Sequence, residues 1–118
     1  MTYSYFVRKV GIVNRNTDIV MGVLPANAII LNPYLSVPTA FNSGGADTII
    51  IGNSTNNDAY GETKTVSAII TLANFTAGAE IGFLAAGKKV LLRYTSTGGA
   101  PTAGAAIVIL PFLLVPGL

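Results

Sequence analysis

Few residues in this sequence could carry out catalysis. The chain of 118 residues has no histidine, no cysteine and only five carboxylates. General acid–base catalysis usually needs a histidine or a tuned carboxylate, and zinc sites are built mainly from Cys and His. Asp58 and Glu62 are the nearest pair of carboxylates that could act across one cleft, as a glycosidase requires. We therefore predict that the protein is not an enzyme and that it has no catalytic residues.

Two further patterns resemble ligand sites but are better explained as turns. Residues 82–89 read G-x-x-x-x-G-K-K, and Lys89 stands where a phosphate-binding loop needs Ser or Thr for Mg²⁺. This stretch also reads as strand, turn and strand, with no helix to follow. Asp47, Asp58 and Glu62, with neighbouring asparagines, offer oxygen ligands for Ca²⁺, but the spacing of an EF-hand is absent. Asn and Asp between glycines are common turn residues, so we predict no cofactor and no metal.

Composition and charge indicate an ordered chain that packs against other proteins. Hydrophobic residues make up 51% and charged residues 10% of the sequence, whereas an average domain has about 25% charged residues. The net charge of +2 is spread along the chain and gives no basic patch for nucleic acid. No apolar run reaches the ~18 residues of a membrane-spanning helix, and residues 1–10 lack the apolar region of a signal peptide. We predict partner subunits, no nucleic acid and no membrane.

The hydrophobic pattern is that of β-strands. Ile29, Leu31, Leu35 and Val37 alternate with other residues and are predicted to share the buried face of one strand. Pro33 cannot donate to a ladder, so we expect it at an edge or a bulge. In the preceding strand, residues 17–24, the same alternation predicts a common face for residues 19, 21 and 23.

Three other segments carry specific expectations. Residues 3–13 are rich in β-formers but include Arg8 and Lys9, which favours an edge strand or an arm. Residues 64–72 are predicted to form a single strand. Residues 53–61 are polar and bounded by glycines, so we predict an exposed loop that tolerates substitution.

Taken along the whole chain, the pattern gives about eight strands separated by turn signals, with no convincing helix. Eight strands in two sheets is the number of a jelly roll. We therefore predict an all-β fold, an antiparallel β-sandwich that is jelly-roll-like. Residues 1–118 are expected to form one domain with an N-terminal arm and a C-terminal apolar tail.

Two segments resemble small structural proteins of tailed bacteriophages. In those proteins an extended strand leads into TAFN-S/A-G, a DTL-x-x-G strand and an Asn/Asp-rich loop ending in Asp-Ala. The run ANAIILNPYLSVPTAFNSGGADTIIIGNSTNNDAYG matches at Ala40, Phe41, Asn42, Ser43, Gly44, Asp47, Thr48, Gly52, Asp58 and Ala59. The run VLLRYTSTGGAPTAGAAIVILPFL is similar to their last two strands, at Val90, Leu92, Tyr94, Thr95, Gly98, Gly99, Pro101, Thr102, Ala103 and Gly104.

This resemblance implies a capsid decoration, or cement, protein. Such a protein is made in the host cytoplasm, binds the outer surface of the head in the virion, and stabilises contacts between major capsid protein subunits. The alternative is a head-fibre or tail structural protein with a host-surface binding role. A chain of 118 residues leaves no room for a separate anchor and tip, which favours decoration. Family members often end in a charged strand, whereas this chain ends in the apolar LPFLLVPGL.

The apolar closing segment also predicts self-association. Residues 107–115 are apolar on both faces of the expected strand, and large exposed apolar patches mark interaction sites. Closed symmetric association is the usual outcome, and the resemblance points to a homotrimer. The residues predicted at subunit contacts are Ile107, Ile109, Phe112, Leu113, Leu114, Val115, Leu118, Tyr3, Tyr5 and Phe6.

Overall fold

The structure is a computed structural model that describes residues 2–84 and 86–117. The described residues form ten strands and one short 3₁₀ turn, Ile12–Asn14. The strands are β1 (Thr2–Gly11), β2 (Thr17–Leu24), β3 (Ala28–Ile30), β4 (Tyr34–Thr39), β5 (Asp47–Gly52), β6 (Gly61–Thr65), β7 (Ile70–Asn74), β8 (Gly82–Leu84), β9 (Lys88–Ser96) and β10 (Ala105–Leu114). No helix in this described part of the chain is long and apolar enough to span a membrane.

The strands form two antiparallel sheets. The larger sheet has the order β7-β4-β10-β3-β8. In it β4 and β3 pair with successive parts of one edge of β10, and β1 pairs with the opposite edge along the whole strand. The smaller sheet has the order β2-β9-β5-β6. The prediction of an all-β, jelly-roll-like antiparallel sandwich is confirmed, although the chain is divided into more strands than expected.

One extra strand arises at Pro33. The stretch predicted to be continuous is split into β3 and β4, which pair with different parts of β10. The residues between them break the alternation, so Ile30 faces the core before the break and Leu35 faces it afterwards. The prediction that Ile29 and Leu31 share the buried face with Leu35 and Val37 was therefore wrong. The break also accommodates Pro111 inside β10. The Pro111 carbonyl accepts a hydrogen bond from Leu31 N, so the Pro111 nitrogen, which has no hydrogen to donate, faces the break between β3 and β4.

The other extra strand arises where the chain changes sheets. Residues 64–72 are not one strand, because β6 belongs to the smaller sheet and β7 to the larger. Val66 lies buried at the crossing, donating its N–H to Asp47 O and accepting at its carbonyl from Phe41 N. A polar–apolar alternation cannot reveal such a crossing, because both strands keep the same period.

A bulge corrects the face assigned within β2. The register shifts between Val20 and Gly22, so Met21 and Leu24 point into the core and Val23 is exposed. The β1 strand is an edge strand, as its charges predicted, and its Phe6 ring lies over Gly22. A Cβ at Gly22 would stand 2.7 Å from that ring, so a larger residue there would have to displace the ring.

The core lies between the two sheets and is built mainly from apolar and aromatic side chains of both. It includes Leu35, Val37, Val108 and Leu110 from the larger sheet and Ile49, Ile51, Val90, Leu92 and Tyr94 from the smaller. Phe41, Tyr60 and Phe75, from the connections, close its ends.

Candidate functional site

The closing strand lies in the middle of the larger sheet. Its even-numbered residues from 106 to 112 are buried in the core, and the side chains between them point to the other side of the sheet. The apolar character of both faces therefore has two causes. One face of β10 is core, and the other belongs to an apolar outer surface.

The strand register shows how far this outer surface extends. Residues that are directly opposite in antiparallel strands have side chains on the same side. One such row runs across four strands and joins Tyr3, Leu113, Ile29 and Phe83. A second row joins Val7, Ile109 and Tyr34, and Tyr5 lies between the rows opposite Pro111.

We call this surface the outer apolar face. Its exposed and half-buried residues are Tyr3, Tyr5, Val7, Ile29, Tyr34, Phe83, Ile107, Ile109 and Leu113, and it also includes the buried Pro111 opposite Tyr5. Tyr5 and Phe83 are each 57% exposed, and the Tyr3 and Tyr5 ring centroids lie 6.4 Å apart. Although Tyr3 is also largely exposed, partial desolvation and then the neighbouring Tyr34 raise the pKa of its phenol. Soluble monomers rarely expose contiguous apolar patches of this kind, and Tyr and Phe are enriched in the cores of protein interfaces.

The residues predicted at subunit contacts divide between this face and the core. Tyr3, Tyr5, Ile107, Ile109 and Leu113 lie on the outer apolar face. Phe6 and Phe112 instead face inward with ring centroids 4.9 Å apart, because they have the opposite parity in their strands. Leu114 packs against the core, Val115 is half-buried after β10, and Leu118 lies outside the described residues.

Sequence reasoning missed several members of the outer apolar face. Val7 stands among residues assigned to an arm, and Ile29 was assigned to the core. Tyr34 comes from a segment that carried no interface expectation, and the spacing of Phe83 fitted either a strand core or an interface. Only the pairing of strands that are distant in sequence brings these four side chains together, and the alternation within each strand does not encode that pairing.

The two segments that carry the phage resemblance meet at one end of the core, where they form what we call the motif junction. Asn42 Oδ1 accepts from the backbone N–H groups of Thr102 and Ala103 at 2.8 and 3.0 Å. The Phe41 ring packs on Tyr94 with centroids 4.5 Å apart. It also occupies the space beside Gly104, where a Cβ would lie 2.3 Å from the ring. These motif residues therefore fix two distant parts of the chain to each other.

Asp47 is the central polar group of the motif junction. Its side chain is fully buried and accepts hydrogen bonds from Tyr94 Oη at 2.7 Å, Ser43 Oγ at 2.8 Å and Ser43 N at 3.2 Å. Burial by itself would raise the pKa of Asp47, but the hydrogen bonds from Tyr94 and Ser43 outweigh it and lower the pKa. Burial and then the bond to Asp47 raise the pKa of Tyr94 to about 12. Asp47 is thus a structural carboxylate, engaged by protein donors.

Two residues of the calcium and phosphate patterns, Asp47 and Lys88, have internal partners in the fold. No group of three or more metal-ligating side chains occurs in the part of the chain that the structure describes. Lys88, from the G-K-K sequence, begins β9 and pairs with Glu80 at 3.2 Å. This hydrogen bond from Lys88 is the main cause that lowers the pKa of Glu80.

The loop after β5 is built on Asn53. Its Oδ1 accepts from Thr55 N, Thr55 Oγ1 and Asn56 N at 2.8–3.1 Å. Its Nδ2 donates to Tyr60 Oη and Glu80 Oε1, both at 3.2 Å. The prediction of an exposed loop is confirmed for Ser54, Thr55 and Asn57 but wrong for Asn53, Ala59 and Tyr60, which are buried.

This loop covers part of the outer surface of the smaller sheet and leaves a polar cleft beside it. The cleft has a volume of about 380 Å³ and is lined by Asp18, Leu91, Arg93 and residues 53–57. Arg93 Nη1 donates to Asp18 Oδ1 at 3.2 Å. A Cβ at Gly52 would lie 2.3 Å from Asn56 O, so glycine is what lets the loop fold back onto the sheet.

Comparison with known proteins gives matches at the level of structure alone. No protein-family model matches the chain, and no curated protein sequence matches it. A chain in the capsid asymmetric unit of cyanophage Pam1 superposes with a TM-score of 0.71 and 18% identity, covering 97% of this chain and 84% of that one.

Two further phage structures match over the same extent. A chain in the acid-stable capsid of Helicobacter pylori bacteriophage KHP30 gives a TM-score of 0.72 at 11% identity, over 97% of this chain and 89% of that one. A chain in the capsid of Ralstonia phage GP4 gives 0.61 at 18% identity, over 98% and 85%. Nearly the whole chain therefore has the fold of proteins found in three bacteriophage capsids.

Proposed function

We propose that this protein is a structural component of a bacteriophage virion, and specifically a capsid decoration protein. It would bind the outside of the head as a single β-sandwich domain and stabilise contacts between major capsid protein subunits. The observation that carries this proposal is the outer apolar face, on a fold shared along almost its full length with chains of phage capsids. A sandwich with a closely packed core and such an outer surface is suited to covering a seam between other proteins.

The mechanism follows from mass action. A head filled with DNA is under internal pressure, which favours separation of the capsid subunits. A protein that binds only the assembled lattice stabilises it over the dissociated state, by an amount that grows with its concentration relative to Kd. Burying the outer apolar face favours association by about 25 cal/mol per Å² of apolar area, and the lost freedom of motion and the ordering of side chains oppose it.

We further propose that the protein acts as a homotrimer at three-fold positions of the head. Trimer formation would bury part of the outer apolar face around the axis, with Tyr3, Tyr5 and the outward residues of β10 at the contacts. The remaining exposed part, towards Phe83, would be left for the capsid surface. A closed ring buries the apolar surface of every copy and does not extend into open filaments.

Heat release of DNA tests the decoration role. Heads assembled without this protein should form normally but release their DNA at a lower temperature than decorated heads. Adding the purified protein should restore the higher temperature, whereas a Tyr5→Asp variant should not. Equal release temperatures for decorated and undecorated heads would contradict the proposal.

Negative-stain microscopy of labelled virions tests the position. Label should cover the head lattice. Label confined to a fibre or to the tail would favour the alternative, a host-binding structural protein, and would overturn the decoration role.

A further inference from the structure

The polar cleft lies on the opposite side of the sandwich from the outer apolar face. It opens on the outer surface of the smaller sheet, between β2, β9 and the loop of residues 53–57. If neighbours cover the outer apolar face, this cleft remains accessible to solvent. Its volume of about 380 Å³ falls within the ~300–1,000 Å³ typical of small-molecule sites.

The lining of the cleft mixes hydrogen-bond donors and acceptors without a net charge. Arg93 and Asp18 contribute opposite charges, and both side chains remain partly exposed, at 37% and 57%. A guanidinium has five N–H donors, of which one bonds Asp18 among the described residues. Ser54 and Asn57 are exposed and make no side-chain hydrogen bond within that same part of the chain.

This chemistry selects among ligand classes. An anion at Arg93 would meet the Asp18 carboxylate, and a cation at Asp18 would meet the guanidinium, so neither charge is favoured. Among the described residues, no aromatic side chain lines the cleft to stack a flat ring. A ligand with many hydroxyl groups fits, because each hydroxyl can accept from Arg93 or Asn57 and donate to Asp18, while Leu91 offers an apolar contact for C–H groups.

The cleft is held in shape before any ligand arrives. Five side-chain hydrogen bonds of Asn53 fix the loop of residues 53–57. The close approach of Asn56 O to Gly52 holds this loop against the smaller sheet. A site that need not be ordered on binding loses less affinity to conformational entropy. We propose that the polar cleft is a binding site for a neutral carbohydrate.

The proposed site is weak in a single chain but strong in an array. Without an aromatic platform, affinity rests on a few hydrogen bonds in a cleft open to water. Copies displayed together on one particle can bind a glycan-covered surface with an avidity about 10²–10⁴ times the single-site affinity. The cleft itself does not depend on the decoration role, since it lies on the opposite side of the molecule, but the gain in avidity rests on that proposed role.

Saturation-transfer NMR tests the site on the intact chain. The probes are neutral sugars: glucose, galactose, mannose, N-acetylglucosamine, N-acetylgalactosamine and their disaccharides. We expect at least one to give transfer signals with the wild type. Arg93→Gln should weaken that binding at least about tenfold, as expected on loss of a hydrogen bond to a charged group.

Two further variants separate a binding defect from a folding defect. Ser54→Ala with Asn57→Ala removes exposed polar groups that make no internal hydrogen bond, and it should weaken binding while leaving the melting curve unchanged. Arg8→Gln, on β1, removes a charge outside the cleft and should bind as the wild type does. The proposal is overturned if no sugar binds the wild type at tens of millimolar. It is also overturned if binding survives in both cleft variants, if Arg8→Gln loses it equally, or if only acidic sugars bind.

Discussion

At the residue scale, the Asp47 carboxylate has the most unusual surroundings. It is removed from water and held by hydroxyl and backbone donors of Tyr94 and Ser43. A buried charge is costly unless it is fully hydrogen-bonded, so its partners are needed for stability. Because Ser43 and Tyr94 come from the two segments that resemble phage proteins, the motif has a structural explanation in the folded chain.

Removing one of these donors should destabilise the fold. Tyr94→Phe deletes the hydroxyl and keeps the ring, and we expect a loss of about 1–3 kcal/mol in the free energy of unfolding. Tyr5→Phe is the matched control, because Tyr5 is exposed, and it should change stability by less than about 0.5 kcal/mol. Guanidinium chloride titrations of the three proteins measure the difference. Equal midpoints for Tyr94→Phe and the wild type would show that the buried bond adds no stability.

The same carboxylate should make the protein sensitive to acid. The pKa of Asp47 in the folded protein is below its ordinary value of 3.8. Its contribution is therefore complete above the unfolded pKa and is lost as the pH falls through the folded pKa. The melting temperature should drop below about pH 4. Asp47→Asn should be less stable at neutral pH but lose less on acidification, and parallel melting profiles of the two proteins would contradict this assignment.

At the scale of the elements, the sequence predicts strands better than it predicts how they are joined. The strands β2 and β10 lie at or close to their expected positions, because β2 alternates regularly, β10 is a continuous apolar run, and turn residues precede each of them. The break at Pro33 and the crossing of residues 64–72 were missed as strand boundaries, since sheet membership depends on contacts between distant segments. The bulge in β2 likewise reversed the face of Val23.

The loop after β5 shows the same limit, and it gives a sharp prediction. Composition indicated a tolerant polar loop, yet Asn53 is buried with five hydrogen bonds. Asn53→Ala should therefore cost about 1–3 kcal/mol, whereas Asn57→Ala, at an exposed position, should cost less than about 0.5 kcal/mol. Thermal unfolding of both variants decides the matter, and comparable losses would mean that the buried amide does not organise the loop.

The edge strand β1 allows the two faces of the larger sheet to be separated experimentally. Phe6 packs inward on Phe112, and the adjacent Tyr5 points outward. Phe6→Ala should lower the stability of the single chain by about 2 kcal/mol, less than the loss for a fully buried Phe. Tyr5→Ala should leave the single chain as stable as the wild type and weaken association. Unfolding at low protein concentration measures the stability of the single chain, and sedimentation velocity at high concentration measures association. A loss of stability in Tyr5→Ala, or a loss of association alone in Phe6→Ala, would contradict the assignment of these two side chains to opposite faces.

At the scale of the whole molecule, the two outer surfaces differ in chemistry. The larger sheet presents a cluster of aromatic and aliphatic side chains, whereas the smaller presents a charged pair, amides and hydroxyls beside the exposed Val20 and Val23. A low charge content of 10% in the sequence indicated that some surface would be covered by protein. It could not indicate which surface, because the outer apolar face is assembled from β1, β3, β4, β8 and β10. The resemblance indicated a phage structural protein, and the chain shares its fold with chains of three phage capsids.

The most direct test of the outer apolar face is the mass of the protein in solution, measured by light scattering for two matched valine variants. Val7→Asp places a charge on this face, and Val23→Asp places one at a comparably exposed valine on the smaller sheet. At micromolar concentration the wild type and Val23→Asp should have three times the mass of one chain. Val7→Asp should have the mass of one chain, with an unchanged circular dichroism spectrum. A wild type that stays at the mass of one chain, or a Val7→Asp variant that associates as fully as the wild type, would contradict the account.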